Sequence, residues 1–152
     1  MSSKDEVRCQ ILRDGQTHFI FPNAVVLEMV RASNIESKEN SPEWILGTLQ
    51  WHGQTIPILS VSRILGGRHE PEGEKCVVIK TMGVCAGLDC YAIHTDSFPQ
   101  FISIHRQGML VDASTPSGVF GSSMSILVEE KSVLVLDLDE IEKKLEDWRK
   151  VE

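Results

Sequence analysis

Cysteine and histidine are two of the residue types in this chain whose chemistry could hold a metal ion. Cys85 and Cys90 are separated by four residues, His94 follows Cys90 by four positions, and Cys9 and Cys76 lie farther away in the sequence. Zinc sites usually contain a C-x2-C pair or two closely spaced histidines, and the sequence has neither. We therefore predict buried, reduced thiols. The alternative is a small-molecule or metal-binding β-barrel sensor that uses Cys85, Cys90 and His94.

The sequence also lacks the motifs of common enzyme classes. His94, Asp96 and Ser97 have the group types of a hydrolytic triad, but no serine stands in a Gly-x-Ser-x-Gly elbow. Glycine-rich phosphate loops and the H-E-x-x-H zinc motif are absent as well. We predict that the protein is not an enzyme and needs no cofactor.

Length and charge narrow the class of protein further. The chain has 152 residues, which suits a single domain, and its formal net charge of −7 disfavours binding to the phosphate backbone of nucleic acids. No apolar run approaches the roughly 20 residues that span a bilayer. Residues 1–8 lack the apolar centre of a signal peptide. These features predict a cytoplasmic protein that does not insert into the membrane.

The strongest structural signal is a predicted β-hairpin. Two apolar-alternating runs, 48–51 and 55–59, flank His52-Gly53-Gln54, and Gly53 can adopt a positive φ at little steric cost. Pro57 has no amide hydrogen to donate, so the second strand should lie at a sheet edge or carry a bulge.

Similar short runs along the chain predict about nine or ten strands, which favours an all-β sandwich or barrel with a C-terminal helix. Asp137 or Asp139 could cap that helix. Its apolar residues recur at spacings of three, four and three, which places them on one helical face. They are Leu138, Ile141, Leu145 and Trp148.

Three segments of the chain resemble the CheW-like family, the coupling proteins of bacterial chemosensory arrays. Residues 26–29, Val-Leu-Glu-Met, stand where the family has a V-x-E-I type motif. Residues 47–61 follow the family pattern Gly-x-x-x-x-Arg-Gly-x-x-x-Pro-hydrophobic-x-Asp-Leu, and residues 132–141 match its final strand and the start of its helix. The likeness spans nearly the whole chain.

Three polar positions depart from the family pattern. Gln50 replaces an Asn, His52 replaces the Arg before the turn glycine, and Ser60 replaces the Asp after the proline strand. Such divergence is similar to that of the ChpC type of CheW-like protein, which serves type IV pilus (twitching motility) chemosensory systems.

The resemblance implies two small five-stranded SH3-like β-barrels that share a hydrophobic core within a single domain, 1–152. On this basis we expect a first lobe at roughly 17–67 and a second at roughly 75–128, with the terminal segments 1–16 and 129–152 completing the barrels. It also implies a non-catalytic adaptor. Its partners would be the regulatory domain of a CheA-like histidine kinase and the cytoplasmic tip of a methyl-accepting chemoreceptor.

The predicted partner-binding residues are Val26, Glu28, Trp51, His52 and Gly53. Glu28 is a charge in an otherwise apolar strand, so it should face water or be paired. Since His52 replaces a permanent cation with a side chain that titrates near neutral pH, we hypothesise a pH-dependent partner surface at which Glu28 and His52 lie close together. The alternative is an ordinary exposed polar pair. Trp51 suits an interface hot spot or, equally, a core position.

Overall fold

The computed structural model describes residues 6–33, 35–37, 40–83, 87–105, 110–111 and 122–150. Within these ranges the chain forms eleven β-strands, two α-helices and one 3-10 turn at Asn23–Val25. The strands and helices are β1 (Glu6–Asp14), β2 (Thr17–Pro22), β3 (Val26–Arg31), β4 (Ile45–Trp51), β5 (Gln54–Leu59), α1 (Val61–Ile64), β6 (Lys75–Lys80), β7 (Cys90–His94), β8 (Gln100–His105), β9 (Leu110–Val111), β10 (Ser122–Val128), β11 (Lys131–Leu136) and α2 (Leu138–Lys150).

The strands form two sheets, so the prediction of an all-β fold with a C-terminal helix is confirmed. The strand order is β8-β1-β2-β11-β10-β9 in the six-stranded sheet and β3-β6-β7-β5-β4 in the five-stranded sheet. Most neighbours are antiparallel, but β2 pairs with β11, and β5 with β7, in parallel. The chain thus begins in one sheet, builds the whole of the other, and returns to finish the first.

This topology corrects the expected lobes, 17–67 and 75–128. The strand β2 belongs to the six-stranded sheet, while β6 and β7 join β3, β4 and β5 in the other sheet. The polar segment 68–74 resembles a boundary in composition, but it connects α1 to the next strand of the same sheet. The resemblance implies two five-stranded units, but the sheet that contains β10 has a sixth strand, because Leu110–Val111 pairs with β10.

The five-stranded sheet closes on itself across its two outer strands. Glu36, which follows β3, exchanges backbone hydrogen bonds with Thr48 of β4, at N···O distances of 3.0 and 2.9 Å. Gly47 makes this approach possible: its φ is +150°, and an added Cβ would lie 2.5 Å from the carbonyl oxygen of Glu36. Closure of this barrel therefore depends on a residue without a side chain at position 47.

Buried side chains form three apolar clusters. One lies between the two sheets and α2 and includes Phe19, Val77 and Ile79, which confirms the predicted shared core. The others lie on the remaining face of each sheet, and Cys76 and Val78 belong to the one in the five-stranded barrel. Because successive residues of β6 point to opposite faces, its continuous apolar run fills two cores at once.

The C-terminal helix packs as its sequence predicts. The Asp137 Oδ1 atom accepts a hydrogen bond from the backbone N–H of Glu140 at 3.1 Å, so Asp137 is the N-cap. Ile141 and Leu145 are fully buried in the shared core, and Leu138 and Trp148 pack against it. In the described part of the chain, no helix has the length and apolarity needed to cross a membrane.

Candidate partner-binding surface

A two-residue turn, His52-Gly53, connects β4 to β5. The φ angles are 47° at His52 and 77° at Gly53, and Trp51 pairs with Gln54 across the ladder. Positive φ at both positions is the signature of a type I′ turn, whose twist matches that of the flanking strands. The predicted hairpin is confirmed, with Gln54 as the first residue of its second strand. His52 is exposed in this turn.

A β-bulge in β3 places Glu28 on the outside of the same barrel. Val26 pairs with Ile79 and Glu28 with Val78, so Leu27 is an extra residue on the bulged strand. A bulge bends its strand and changes the direction of neighbouring side chains. Leu27 is 47% exposed, and Glu28 is exposed beside it.

Glu28 contacts Trp51, the last residue of β4, and His52, the first residue of the turn. The Trp51 indole Nε1–H donates to Glu28 Oε2 at 2.9 Å, and His52 Nε2 lies 3.5 Å from the same oxygen. The rings of Trp51 and His52 meet edge to face, with their centroids 4.4 Å apart. The predicted proximity of Glu28 and His52 is therefore observed. We call Leu27, Glu28, Trp51 and His52 the Glu28 surface.

The contact between His52 and Glu28 is solvated and weak. The side chains of His52 and Glu28 are 69% and 49% exposed. Exposed ion pairs of this kind contribute about 0–1 kcal/mol to folding. Trp51, by contrast, is partly buried and packs against the apolar cluster inside the five-stranded barrel. A partner could therefore replace the Glu28–His52 contact at little cost, while Trp51 stays fixed by its packing.

The other two predicted residues differ in position. Gly53 lies at the exposed tip of the turn, next to His52. Val26 is partly buried against the shared core, so the structure separates it from the Glu28 surface. Sequence reasoning missed Leu27, because a period-two pattern gives no sign of an inserted bulge residue.

The alternative thiol site finds little support among the described residues. Cys85 lies outside them. Cys90 lies in the apolar cluster of the five-stranded barrel, where burial, and secondly the charge of Asp89, raise the pKa of its thiol. Burial also raises the pKa of Cys76 to about 12. Metals bind the thiolate, and burial disfavours that charged form in both thiols. His94 Nδ1 faces the carboxylates of Asp96 and Asp14, at 3.6 and 4.0 Å, rather than a thiol.

Comparison with known proteins agrees with this architecture. A family model described as a CheW-like domain matches residues 9–146. The fold is similar to the crystal structure of the scaffolding protein TtCheW from Thermoanaerobacter tengcongensis, with a TM-score of 0.72, 13% sequence identity, and coverage of 87% of this chain and 89% of that one. A search of curated proteins found no match. Since the family model covers most of the chain and the fold agrees, this protein belongs to the CheW-like domain family.

Proposed function

We propose that the protein is a cytoplasmic adaptor that couples methyl-accepting chemoreceptors to a CheA-like histidine kinase. Its partners would be the regulatory domain of the kinase and the cytoplasmic tip of the receptor. The observation that carries the proposal is the match of the CheW-like domain over residues 9–146. CheW-like proteins act as non-catalytic scaffolds, so the chain would work through protein–protein contacts alone.

We assign one partner contact to the Glu28 surface. Tryptophan is enriched among interface residues whose truncation costs the most affinity, and Trp51 is held in place by its packing against the barrel. Leu27 adds exposed apolar area beside it, and Glu28 adds a charge that can select a complementary partner. An apolar centre with a charged rim is the usual anatomy of such interfaces.

We assign a second contact to Phe98, in the connection between the two barrels. Phe98 follows β7 of one sheet and precedes β8 of the other, and it is 75% exposed. It borders a groove of about 710 Å³ that Met29 and Val30 also line. An ion pair between Arg31 and Glu74, at 2.7 Å, stands at the same groove. This arrangement supports an apolar contact between the barrels that is flanked by charges.

A more specific proposal concerns the chemosensory pathway that the adaptor serves. Gln50, His52 and Ser60 replace three polar residues of the family pattern, as in the ChpC type of type IV pilus systems. We propose that the adaptor serves a chemosensory pathway of that kind.

Direct binding measurements test the adaptor role. The full chain would be titrated separately with the regulatory domain of a CheA-like kinase and with a chemoreceptor tip fragment from the same organism, by isothermal titration calorimetry. We expect saturable binding to both. Failure to bind either partner would contradict the proposal, and binding to only one would restrict the role to that partner. Loss of chemosensory-driven twitching on deletion of the gene would test the pathway.

A further inference from the structure

Two carboxylates and two histidines converge where the two barrels meet. Asp14 ends β1, His94 ends β7, Asp96 follows two residues later, and His69 comes from the connection between α1 and β6. The side chains of Asp14 and Asp96 are 0% exposed, that of His94 is 1% exposed, and that of His69 is 25% exposed. The partner-binding residues proposed above do not include any of these four.

Their nitrogen and oxygen atoms form a ring. His69 Nε2 lies 2.8 Å from Asp96 Oδ2 and 3.8 Å from Asp14 Oδ1. His94 Nδ1 lies 3.6 Å from Asp96 Oδ1 and 4.0 Å from Asp14 Oδ1. In tetrahedral zinc sites with bonds of about 2.0–2.2 Å, neighbouring ligand atoms are about 3.3–3.6 Å apart. Asp14, His69 and Asp96 offer ligand atoms that all lie within 4.8 Å of one another, and His94 Nδ1 borders this group. Shifts of about 0.5 Å would bring these atoms to the separations of a zinc coordination shell, and the hydrogen bond between His69 and Asp96 would have to open.

Two atoms of the ring are buried without a hydrogen-bond partner among the described residues. They are Asp14 Oδ1 and His94 Nδ1. His94 Nε2 lies 3.4 Å from the carbonyl oxygen of Gly73. Because a carbonyl only accepts, this contact places a hydrogen on Nε2, and in the neutral ring Nδ1 then has the lone pair that a metal ion needs. A buried lone pair that faces two carboxylates is unfavourable, so either a proton on Nδ1 or a bound cation has to lie between them.

The surrounding hydrogen bonds hold both carboxylates in place. Asp14 Oδ2 accepts from the Ser60 hydroxyl at 2.6 Å and from the Ser62 backbone N–H at 3.0 Å. Asp96 accepts from the backbone N–H groups of Gly15 and Glu72 at 2.7 and 3.0 Å. Partners that orient a ligand in this way are typical of the residues around a protein metal site.

We propose that Asp14 Oδ1, His69 Nε2, His94 Nδ1 and the Asp96 carboxylate bind one Zn²⁺ ion at the junction of the barrels. Imidazole and carboxylate are both common zinc ligands. Four protein ligands close the coordination shell, so the site is structural rather than catalytic. Partly exposed His69 provides the entry path. The ion would join β1 of one sheet to β7 of the other and would fix the connection that carries His69.

Metal titration tests this site. The full chain, freed of metal by a chelator, would be titrated with Zn²⁺ by calorimetry and with Co²⁺ by visible absorption. We expect one equivalent of each ion, with the absorption of a tetrahedral site. His69→Ala should weaken binding at least tenfold. The matched control is His105→Ala, which removes an exposed histidine at the end of β8 and should leave metal affinity unchanged.

Three results would overturn the proposal: no stoichiometric binding by the wild-type chain, equal affinity in His69→Ala, or loss of binding in Cys85→Ser, which would place the metal on thiols. Circular dichroism would check that each variant folds. If His69→Ala does not fold, His69→Gln takes its place, with the same tenfold expectation. Zn²⁺ should also raise the melting temperature of the wild-type chain more than that of either His69 variant. This site is independent of the adaptor role, so either can fail alone.

Discussion

The position of Glu28 is set by a bulge in β3, and its contacts are set by the turn that follows β4. The bulge at Leu27 turns the carboxylate outward, and the type I′ turn brings Trp51 and His52 to the same place. The Trp51 indole and the His52 imidazole converge on one oxygen of Glu28, at 2.9 and 3.5 Å. At the residue scale, the Glu28 surface is thus an exposed polar contact on a rigid aromatic base.

Reversing the charge of Glu28 should weaken partner binding. In Glu28→Lys, the Trp51 indole loses its acceptor, and an ammonium group takes the place of the carboxylate beside His52. We expect affinity for at least one partner to fall tenfold or more, while stability changes by only about 1 kcal/mol because the side chain is half exposed. Calorimetry against both partners would measure this. Glu6→Lys, an identical charge change at the exposed first residue of β1, is the control. Unchanged binding by Glu28→Lys would refute the assignment.

Trp51→Phe separates the hydrogen bond from the packing. Phenylalanine keeps an aromatic ring against the barrel but cannot donate to Glu28. We expect a several-fold loss of partner affinity and a loss of about 1 kcal/mol or less in the free energy of unfolding. Trp44→Phe is the control, since Trp44 packs against the shared core. If both variants bind partners equally well, the indole N–H has no role in recognition.

At the scale of elements, the β4–β5 hairpin contains Pro57, which has no N–H to donate to a neighbouring strand. Pro57 was expected at a sheet edge or a bulge, but β5 lies between β4 and β7. Pro57 pairs with Thr48, whose backbone groups bond to Glu36 on the other side. Parallel pairing with β7 begins only at Ile58. The missing N–H of Pro57 therefore does not cost the sheet a backbone hydrogen bond.

Gly47→Ala should open the seam of the five-stranded barrel. The new Cβ would lie 2.5 Å from the Glu36 carbonyl oxygen, at a backbone φ of +150°. We expect a loss of about 2–4 kcal/mol in the free energy of unfolding, measured by urea denaturation. Gly66→Ala is the control: its φ is +90°, and no described atom lies within 4 Å of the added Cβ. It should cost about 1–2 kcal/mol from backbone strain alone. Equal losses in the two variants would argue against a steric role for Gly47.

At the scale of the whole molecule, the shared core makes the two barrels one cooperative unit. Its buried residues come from both sheets and from α2, and the chain crosses between the sheets twice. Neither sheet can unfold without exposing part of this core. The domain should therefore unfold in a single two-state transition, as most domains of this size do.

Leu145→Ala tests this cooperativity. Leu145 is fully buried where α2 meets both sheets, so its truncation should cost about 2–5 kcal/mol. Tryptophan fluorescence and far-UV circular dichroism should show the same shifted midpoint. Lys143→Ala, on the exposed face of α2, should change stability by no more than about 0.5 kcal/mol. Separate midpoints for the two probes would mean that the barrels unfold independently.

Local patterns in the sequence predicted the parts of the fold that depend on neighbouring residues. The stripe and N-cap of α2 and the turn at His52-Gly53 follow from spacing and from the conformational freedom of glycine. The strand at 75–80 follows from its continuous apolar run, whose side chains fill two cores. Glu28 and His52 were predicted from the two family segments that contain them, and Trp51 from its residue type; their role in partner binding stays a prediction.

Only the tertiary structure decided which strands share a sheet. The parallel pairing of β2 with β11 joins segments from the two ends of the chain, and hydrophobic alternation is the same whichever sheet a strand enters. Non-local strand pairing also brings Asp14, His69, His94 and Asp96 together, since these residues are distant in sequence and follow no local spacing. The sequence by itself therefore determined the strands, the helix and the family, while non-local pairing decided the lobes, the bulge and the buried cluster.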